Sequence, residues 1–187
     1  MTEDARTVSY SQTVLTELMI PSYANFGGKI HGGILLSLMD KVAYACASRH
    51  AGNYCVTVSV DGVDFLAPVE VGDLVSLMAS VNYVGRTSLV IGIRVIAENV
   101  RTGLKRHTNT SYVTMVAKGE DDQPAVVPAL ILQSKKDTRR FLEAMKRREL
   151  KQTFNHNFSH AKSGMDLESG LDLLTNQRCV VDVDGVK

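Results

Sequence analysis

The sequence predicts an α+β domain in which an antiparallel sheet packs against one long apolar helix. Apolar residues recur around most of a helix that begins near His31, which is typical of a helix buried on several sides. Four long stretches that alternate with a period of two follow between Tyr54 and Lys118. Strands of this kind need a common buried partner, and the helix is the only segment long enough to serve.

The helix follows a loop of turn-forming residues between Pro21 and Gly28, and Gly52 and Asn53 end it. Its apolar positions are Ile34, Leu35, Leu36, Leu38, Met39, Val42, Ala43, Ala45, Cys46 and Ala47. Its polar positions form one narrow stripe, made of Ser37, Asp40, Lys41, Tyr44 and Ser48. The helix therefore combines a buried body with one polar face.

The strands are predicted from alternation and from β-branched and aromatic residues. They span 7–20, 54–61 with a break near Gly62 and a continuation over 65–68, 75–83, 89–97 and 104–118. A charged helix is predicted over 133–152, where Lys and Arg outnumber Asp and Glu. We therefore expect a domain at 1–133, a charged C-terminal helix at 134–152 and a tail at 153–187, to which the sequence assigns no function.

Composition narrows the classes of function. The chain has 187 residues and a formal net charge of +1, which argues against a dedicated nucleic-acid binder. The basic helix could still be a nucleic-acid arm, but Phe141 is the single aromatic residue among its cations, and a solvated helix is expected. No apolar run reaches the length of a membrane span, and three cysteines without CxxC spacing fit free thiols. A cytoplasmic protein without membrane contact is expected.

Asp40 is the residue of the apolar helix that most needs an explanation. A carboxylate in apolar surroundings costs several kcal/mol unless it is paired or lies at a wet cavity. An ion pair with Lys41, or a solvent-facing stripe, would explain it without any function. The alternative is a chemical role for Asp40. Gly32 and Gly33 expose the backbone amides at the N-terminus of the helix, a site that suits an anion. This site lies about 10 Å from Asp40 along the helix axis.

Three segments carry a resemblance to a known family. They are the pattern Asn25-x-x-Gly28-x-x-His31-Gly32-Gly33-x-x-x-x-x-x-Asp40, the turn Gly85-Arg86-Thr87-Ser88, and the strand Arg106-His107-Thr108-Asn109-Thr110 with Tyr112-Val113-Thr114. Together they resemble hot-dog-fold acyl-CoA thioesterases, in the branch of cytosolic acyl-CoA hydrolases that includes the bacterial YciA-like enzymes. The likeness runs from about residue 8 to 150. It implies a hot-dog fold, whose long central helix is wrapped by an antiparallel sheet.

The resemblance also implies roles for single residues. The amides of His31, Gly32 and Gly33 would stabilise the developing oxyanion of an acyl-CoA thioester. Asp40 would be the general base on water or the nucleophile, and Asn25 would orient the water or hydrogen-bond the thioester. The turn of Arg86, Thr87 and Ser88 would contact the CoA phosphates, with Arg101, Lys105 and Arg106 as weaker candidates. The two halves of each site would come from opposite protomers of a homodimer, and the family favours a homohexamer built as a trimer of dimers.

Other readings of the same residues remain open. His31 could be the general base of a dehydratase or hydratase on the same fold, or it could only cap the helix. A non-catalytic acyl-CoA sensor would bind the same ligand without turnover. Metal-assisted or serine hydrolysis has no support, because HExxH and GxSxG motifs are absent from the sequence. No cofactor is expected, since coenzyme A is part of the substrate.

Overall fold

The computed structural model describes residues 4–166 and 170–182. Residues 1–3 of the predicted domain, and 167–169 and 183–187 of the predicted tail, lie outside the described residues. Its elements are β1 Ala5–Thr7, α1 Val8–Ser11, β2 Thr13–Leu18, α2 Gly32–Ala51, β3 Tyr54–Asp61, β4 Asp73–Val84, β5 Ser88–Asn99, β6 Leu104–Lys118, β7 Ala129–Ile131 and α3 Lys135–Ser163. Short 3-10 turns span Pro21–Tyr23 and Leu171–Leu174.

The main sheet has five strands in the order β2-β4-β5-β6-β3, and every neighbouring pair is antiparallel. Strands β1 and β7 form a separate parallel pair. One face of the main sheet packs on α2, and the core joins Met39 and Val42 of the helix to Leu77, Ile91 and Met115 of the strands. The predicted α+β fold is confirmed. Strand β3 lies at an edge of the sheet, so one of its sides has no strand neighbour among the residues that the structure describes.

Helix α2 begins and ends where its sequence predicts. His31 is the N-cap, and its ring nitrogen Nδ1 accepts a hydrogen bond from the amide of Gly33 at 2.8 Å. Gly52 ends the helix in the left-handed region with φ +73°, and its amide donates to the carbonyl of Ser48 at 2.8 Å. A left-handed C-terminal residue is inexpensive for glycine, which has no Cβ.

Three predicted boundaries were wrong. The strand expected over 7–20 is interrupted by α1, because the hydroxyl of Thr7 caps that helical turn by accepting from the amide of Tyr10 at 3.2 Å. The continuation over 65–68 is a loop, although the Leu66 amide donates to the carbonyl of Thr108 at 2.8 Å. The charged helix α3 extends past Gln152 to Ser163, since no glycine or proline stops it before Gly164.

The chain divides into two compact units, Met1–Met145 and Lys146–Lys187. The first unit contains both sheets and helix α2. The second contains the C-terminal part of α3 and the 3-10 turn Leu171–Leu174, whose Leu173 is exposed. Among the described residues, none of the helices combines the length and the apolar character that crossing a bilayer requires.

Candidate active site

The predicted polar stripe of α2 is the face that the sheet leaves uncovered. Ser37, Asp40, Lys41 and Tyr44 are all exposed, and Leu36 on the same face is exposed as well. The expectation of a buried Asp40 was therefore wrong for this chain by itself. The apolar residues around the helix do not all face the sheet, because the sheet covers only one side of α2.

Asp40 is held by a residue that the sequence did not single out. The hydroxyl of Thr57 on β3 donates a hydrogen bond to Asp40 Oδ1 at 2.6 Å. Among the described residues, no ion pair joins Asp40 to Lys41 or to another cation. The two residues line a hollow of about 330 Å³ with Tyr44, Tyr54 and Met115. This hollow is polar at Asp40, Lys41 and Thr57, and Val56 and Met115 give it apolar walls as well.

The sequence did not indicate Thr57 because apolar residues of a strand normally face the core and polar residues face solvent, and β3 departs from this pattern. Cys55 and Thr57 face α2, whereas Val58 and Val60 are exposed. The register of β3 against β6 shifts between Thr57 and Ser59, so Val58 is an extra residue in the ladder. A strand whose valines point to solvent is itself a signal, because apolar surface of this kind is normally covered by a partner.

Cys55 lies in the same hollow and is buried. Burial raises the pKa of its thiol. The thiol is therefore neutral at neutral pH, and a neutral thiol is a poor nucleophile. Within this hollow, Asp40 remains the group that can accept a proton or attack a carbonyl carbon.

The start of α2 offers fewer free amides than the sequence predicts. The His31 amide donates to the carbonyl of Tyr23 at 2.9 Å, and the Gly33 amide donates to the His31 ring. The Gly32 amide has no acceptor within the described part of the chain. A Cβ at position 33 would lie only 2.9 Å from the His31 ring, so a residue with a side chain would collide with the ring where Gly33 does not. One amide of the predicted three thus remains for an external oxyanion.

His31 acts as a helix cap in this geometry. Because Nδ1 accepts the Gly33 proton, Nε2 is the ring nitrogen left to carry a proton. This arrangement fits the capping role that the sequence left open for His31. It places the ring in the first turn of the helix and not at Asp40.

Gly32 and Asp40 lie in separate hollows of one chain. Gly32 lines a groove of about 360 Å³ with Phe65, Leu35 and Lys29, and none of these residues borders the hollow at Asp40. Eight residues of helix separate the two, which is about 12 Å along the axis. A single thioester group cannot reach both within one chain.

Asn25 shapes an exposed loop that precedes α2. Its side-chain oxygen accepts hydrogen bonds from the amides of Gly27 at 2.9 Å and Lys29 at 3.2 Å. The side-chain NH₂ group is consequently the end of Asn25 that remains for another molecule. Phe26 beside it is fully exposed, although it is the most hydrophobic residue of the loop. The loop presents a hydrogen-bond donor and an aromatic ring outward from the chain.

The predicted phosphate contact forms the turn between β4 and β5. The carbonyl of Arg86 accepts from the Val127 amide and that of Thr87 from the Ala117 amide, each at 2.9 Å. The Gly85 amide donates to the carbonyl of Ser88 at 2.8 Å. Arg86 is exposed and borders a hollow of about 460 Å³, which is not the hollow of Asp40.

The weaker phosphate candidates have other partners. Arg106 forms an ion pair of 2.6 Å with Asp73, whose side chain is only 1% exposed. Lys105 pairs with Glu98 at 3.2 Å on the surface. Arg101 is exposed in the turn between β5 and β6. The structure therefore gives Arg106 a role in the fold.

Comparison with known proteins identifies relatives of this arrangement. The profile of the thioesterase superfamily matches residues 27–104. Protein VdlD of Helicobacter pylori is 42% identical over 145 residues, which are 78% of this chain and 83% of VdlD. The uncharacterized acyl-CoA thioester hydrolase YkhA of Bacillus subtilis is 33% identical over 136 residues, 73% of this chain and 79% of YkhA. Among solved structures, an apo-hexameric acyl-CoA thioesterase is similar with a TM-score of 0.79 and 35% identity, covering 81% of this chain and 97% of that one.

Proposed function

This chain belongs to the acyl-CoA thioester hydrolases of the thioesterase superfamily, which have the hot-dog fold, and we propose that it hydrolyses acyl-CoA to a free fatty acid and coenzyme A at Asp40. The observation that carries the proposal is the hydrogen bond of 2.6 Å between Thr57 and Asp40 at the mouth of a partly apolar hollow. A carboxylate fixed at the polar end of such a hollow suits a substrate with a reactive ester and an apolar tail.

Asp40 is the general base in this proposal. Thr57 occupies Oδ1, so the second oxygen of the carboxylate faces the hollow and takes a proton from water. The resulting hydroxide attacks the thioester carbonyl carbon. The C–S bond then breaks, and Asp40 returns the proton to the departing sulfur, which gives CoA as the free thiol and the acid as product.

The oxyanion is stabilised by donors at the start of α2. The Gly32 amide and the NH₂ group of Asn25 are the donors that the chain leaves without an internal acceptor among the described residues. A well-placed donor of this kind is worth about 3 to 4 kcal/mol in the transition state. His31 contributes by capping the helix, which fixes the direction of the Gly32 amide.

The complete site is assembled from two protomers. Three features support this: the separate hollows of Gly32 and Asp40, the outward loop with Asn25 and Phe26, and the exposed apolar face of the edge strand β3. An edge strand with exposed valines is a surface that pairs with a second copy. In the dimer, Asn25 and Gly32 of one protomer meet Asp40 and Thr57 of the other.

Further parts of the proposal concern assembly and the CoA end. The similarity to an apo-hexameric acyl-CoA thioesterase supports a trimer of such dimers, which sizing by light scattering tests.

Arg86, with Thr87 and Ser88, is proposed to bind CoA phosphates, so that Arg86→Gln raises KM. We also propose residues 1–133 as the catalytic domain, the charged helix that follows it and the tail after that helix as appendages, and the cytoplasm as the location, which the free cysteines support.

Thiol release from acyl-CoA, followed with a thiol-reactive chromophore, tests the proposed chemistry. The wild-type chain is expected to release free CoA from at least one member of an acyl chain-length series. Asp40→Asn keeps the size of the side chain and an acceptor for Thr57, and is expected to be slower by about 10² to 10⁴-fold. Wild-type rates in Asp40→Asn would exclude Asp40 as the base. Turnover without free thiol would favour a dehydratase or hydratase, and binding without turnover would favour a sensor.

A further inference from the structure

The hollow at Asp40 has a polar end and an aromatic end. At the polar end, the hydrogen bond of 2.6 Å from Thr57 to Asp40 joins β3 to α2. At the other end, the rings of Tyr44 and Tyr54 contact each other, with centroids 5.9 Å apart and planes tilted by 57°. Each pair takes one residue from α2 and one from β3, and all four residues border the same hollow of about 330 Å³. The hollow therefore extends between two contacts that join the same two elements.

The order of the two contacts follows from the directions of the elements. Tyr44 comes four residues after Asp40 in α2, whereas Tyr54 comes three residues before Thr57 in β3. The helix and the strand thus run past the hollow in opposite directions. Residues four apart share one face of a helix and lie about 6 Å apart along its axis. The tyrosine contact is consequently one helical turn beyond the carboxylate.

The lining between the two contacts is uncharged. Cys55 and Val56 come between Tyr54 and Thr57 in β3, and both border the hollow together with Met115 of β6, which is buried. The Cys55 thiol stays protonated at neutral pH, because burial raises its pKa. A hydrocarbon chain suits such a lining, since its apolar surface leaves water without burying a charge.

The tyrosine rings form the end of the hollow. Among the described residues that border it, none follows Tyr44 in α2 and none precedes Tyr54 in β3. The two side chains are 42% and 59% exposed, so both also contact water. A tyrosine suits this position because its ring is apolar and its hydroxyl is polar. The contact between the rings is therefore the boundary at which the hollow stops.

We propose that the contact between Tyr44 and Tyr54 limits the acyl group of the substrate to about six carbons. This inference rests on the proposed hydrolysis at Asp40, because the thioester carbonyl must lie at that carboxylate for the tyrosines to meet the end of the acyl group. The distance of about 6 Å from Asp40 to Tyr44 is covered by about five carbon–carbon bonds of about 1.5 Å in a zigzag. Acyl groups from acetyl to hexanoyl fit within it, and a longer one has to displace a ring.

A series of saturated acyl-CoA substrates from acetyl to palmitoyl tests the limit through thiol release by the full-length protein. For the wild type, kcat/KM is expected to rise up to hexanoyl-CoA, by about fourfold for each methylene that becomes buried, and to fall beyond it. Tyr44→Ala removes the ring on the helix side, and Tyr54→Ala removes the ring on the strand side. Each variant is expected to raise the ratio of kcat/KM for octanoyl-CoA to that for butyryl-CoA by about tenfold or more, because further methylenes gain room.

Two control variants separate the ring from other effects of substitution. Tyr44→Phe keeps the ring, and Tyr10→Ala removes a tyrosine that is 60% exposed on α1 and does not border the hollow. Both are expected to keep the octanoyl-to-butyryl ratio within about twofold of the wild type. A ratio of two substrates in one preparation is unaffected by a smaller folded or dimeric fraction. The comparison therefore stays decisive if an alanine variant is less stable.

Two results overturn the length limit alone. One is a wild type that releases thiol with kcat/KM still rising from hexanoyl-CoA to palmitoyl-CoA. The other is a pair of alanine variants, at Tyr44 and Tyr54, whose ratio changes no more than that of Tyr10→Ala. A wild type that releases no thiol from any member of the series contradicts the proposed hydrolysis itself, and the length limit then fails with it.

Discussion

Removal of the Thr57 hydroxyl tests how the carboxylate of Asp40 is positioned. Thr57→Val keeps the shape of the side chain and deletes the donor of the 2.6 Å hydrogen bond. A hydrogen bond to a charged group is worth about 1.5 to 3 kcal/mol net. If that free energy holds the carboxylate in its productive orientation, the productive fraction falls by about 10- to 150-fold without it. The fall appears in kcat, because the proposed role of Thr57 involves Asp40 and not CoA.

Thiol release at several acyl-CoA concentrations separates kcat from KM in this variant. Thr57→Ser is the matched control, since it keeps the hydroxyl, and it is expected to retain kcat within about threefold of the wild type. Two results would refute the reasoning. One is a Thr57→Val variant with wild-type kcat, and the other is a Thr57→Ser variant that loses as much activity as Thr57→Val. A rise in KM alone would move Thr57 from positioning to substrate binding.

Two further predictions concern stability. Arg106→Ala removes the partner of Asp73, whose carboxylate is 1% exposed, and is expected to lower the free energy of unfolding by about 3 to 5 kcal/mol in urea titrations. Lys105→Ala, which breaks an exposed pair on the same strand, is expected to cost under about 1 kcal/mol, and equal losses in the two variants would contradict this account. Burial lowers the pKa of His50 from its ordinary 6.5, so its contribution to stability is fully present above that pH and is lost as pH falls through the folded-state value. Unfolding measured between pH 7 and 4 is expected to show a shallower loss of stability in His50→Gln than in the wild type, and identical slopes would remove His50 as a source of the pH dependence.

The elements with the longest periodic patterns were predictable from the sequence. Helix α2 begins and ends at its capping residues, and β6 spans the predicted 104–118. These segments have strong local signals that agree with their tertiary surroundings. The segment before α2 failed because Thr7 and Tyr10 form a local hydrogen bond that favours a helical turn over the strand that its composition indicates.

The site was only partly predictable, because its geometry depends on contacts between distant residues. Thr57 reaches Asp40 across 17 positions, and it does so because the alternation in β3 turns Val58 and Val60 outward. The ring of His31 takes the Gly33 proton, a local contact that spacing alone does not reveal. Asp40 was expected to be buried because apolar residues surround α2 in sequence, yet the exposed face of α2 carries Leu36 and Tyr44 beside it. That exposed apolar face is what the proposed dimer covers.

A refolded mixture of Asn25→Ala and Asp40→Asn chains tests the two-protomer site most directly. Each variant alone is expected to be nearly inactive, because both of its sites lack the same residue. Random pairing makes half of the dimers hybrids, and each hybrid has one site with both residues intact, so the mixture is expected to regain about a quarter of the wild-type thiol release. Hybrids shown to form by mass spectrometry, but with no activity above the separate variants, would contradict a site shared between Asn25 of one protomer and Asp40 of the other.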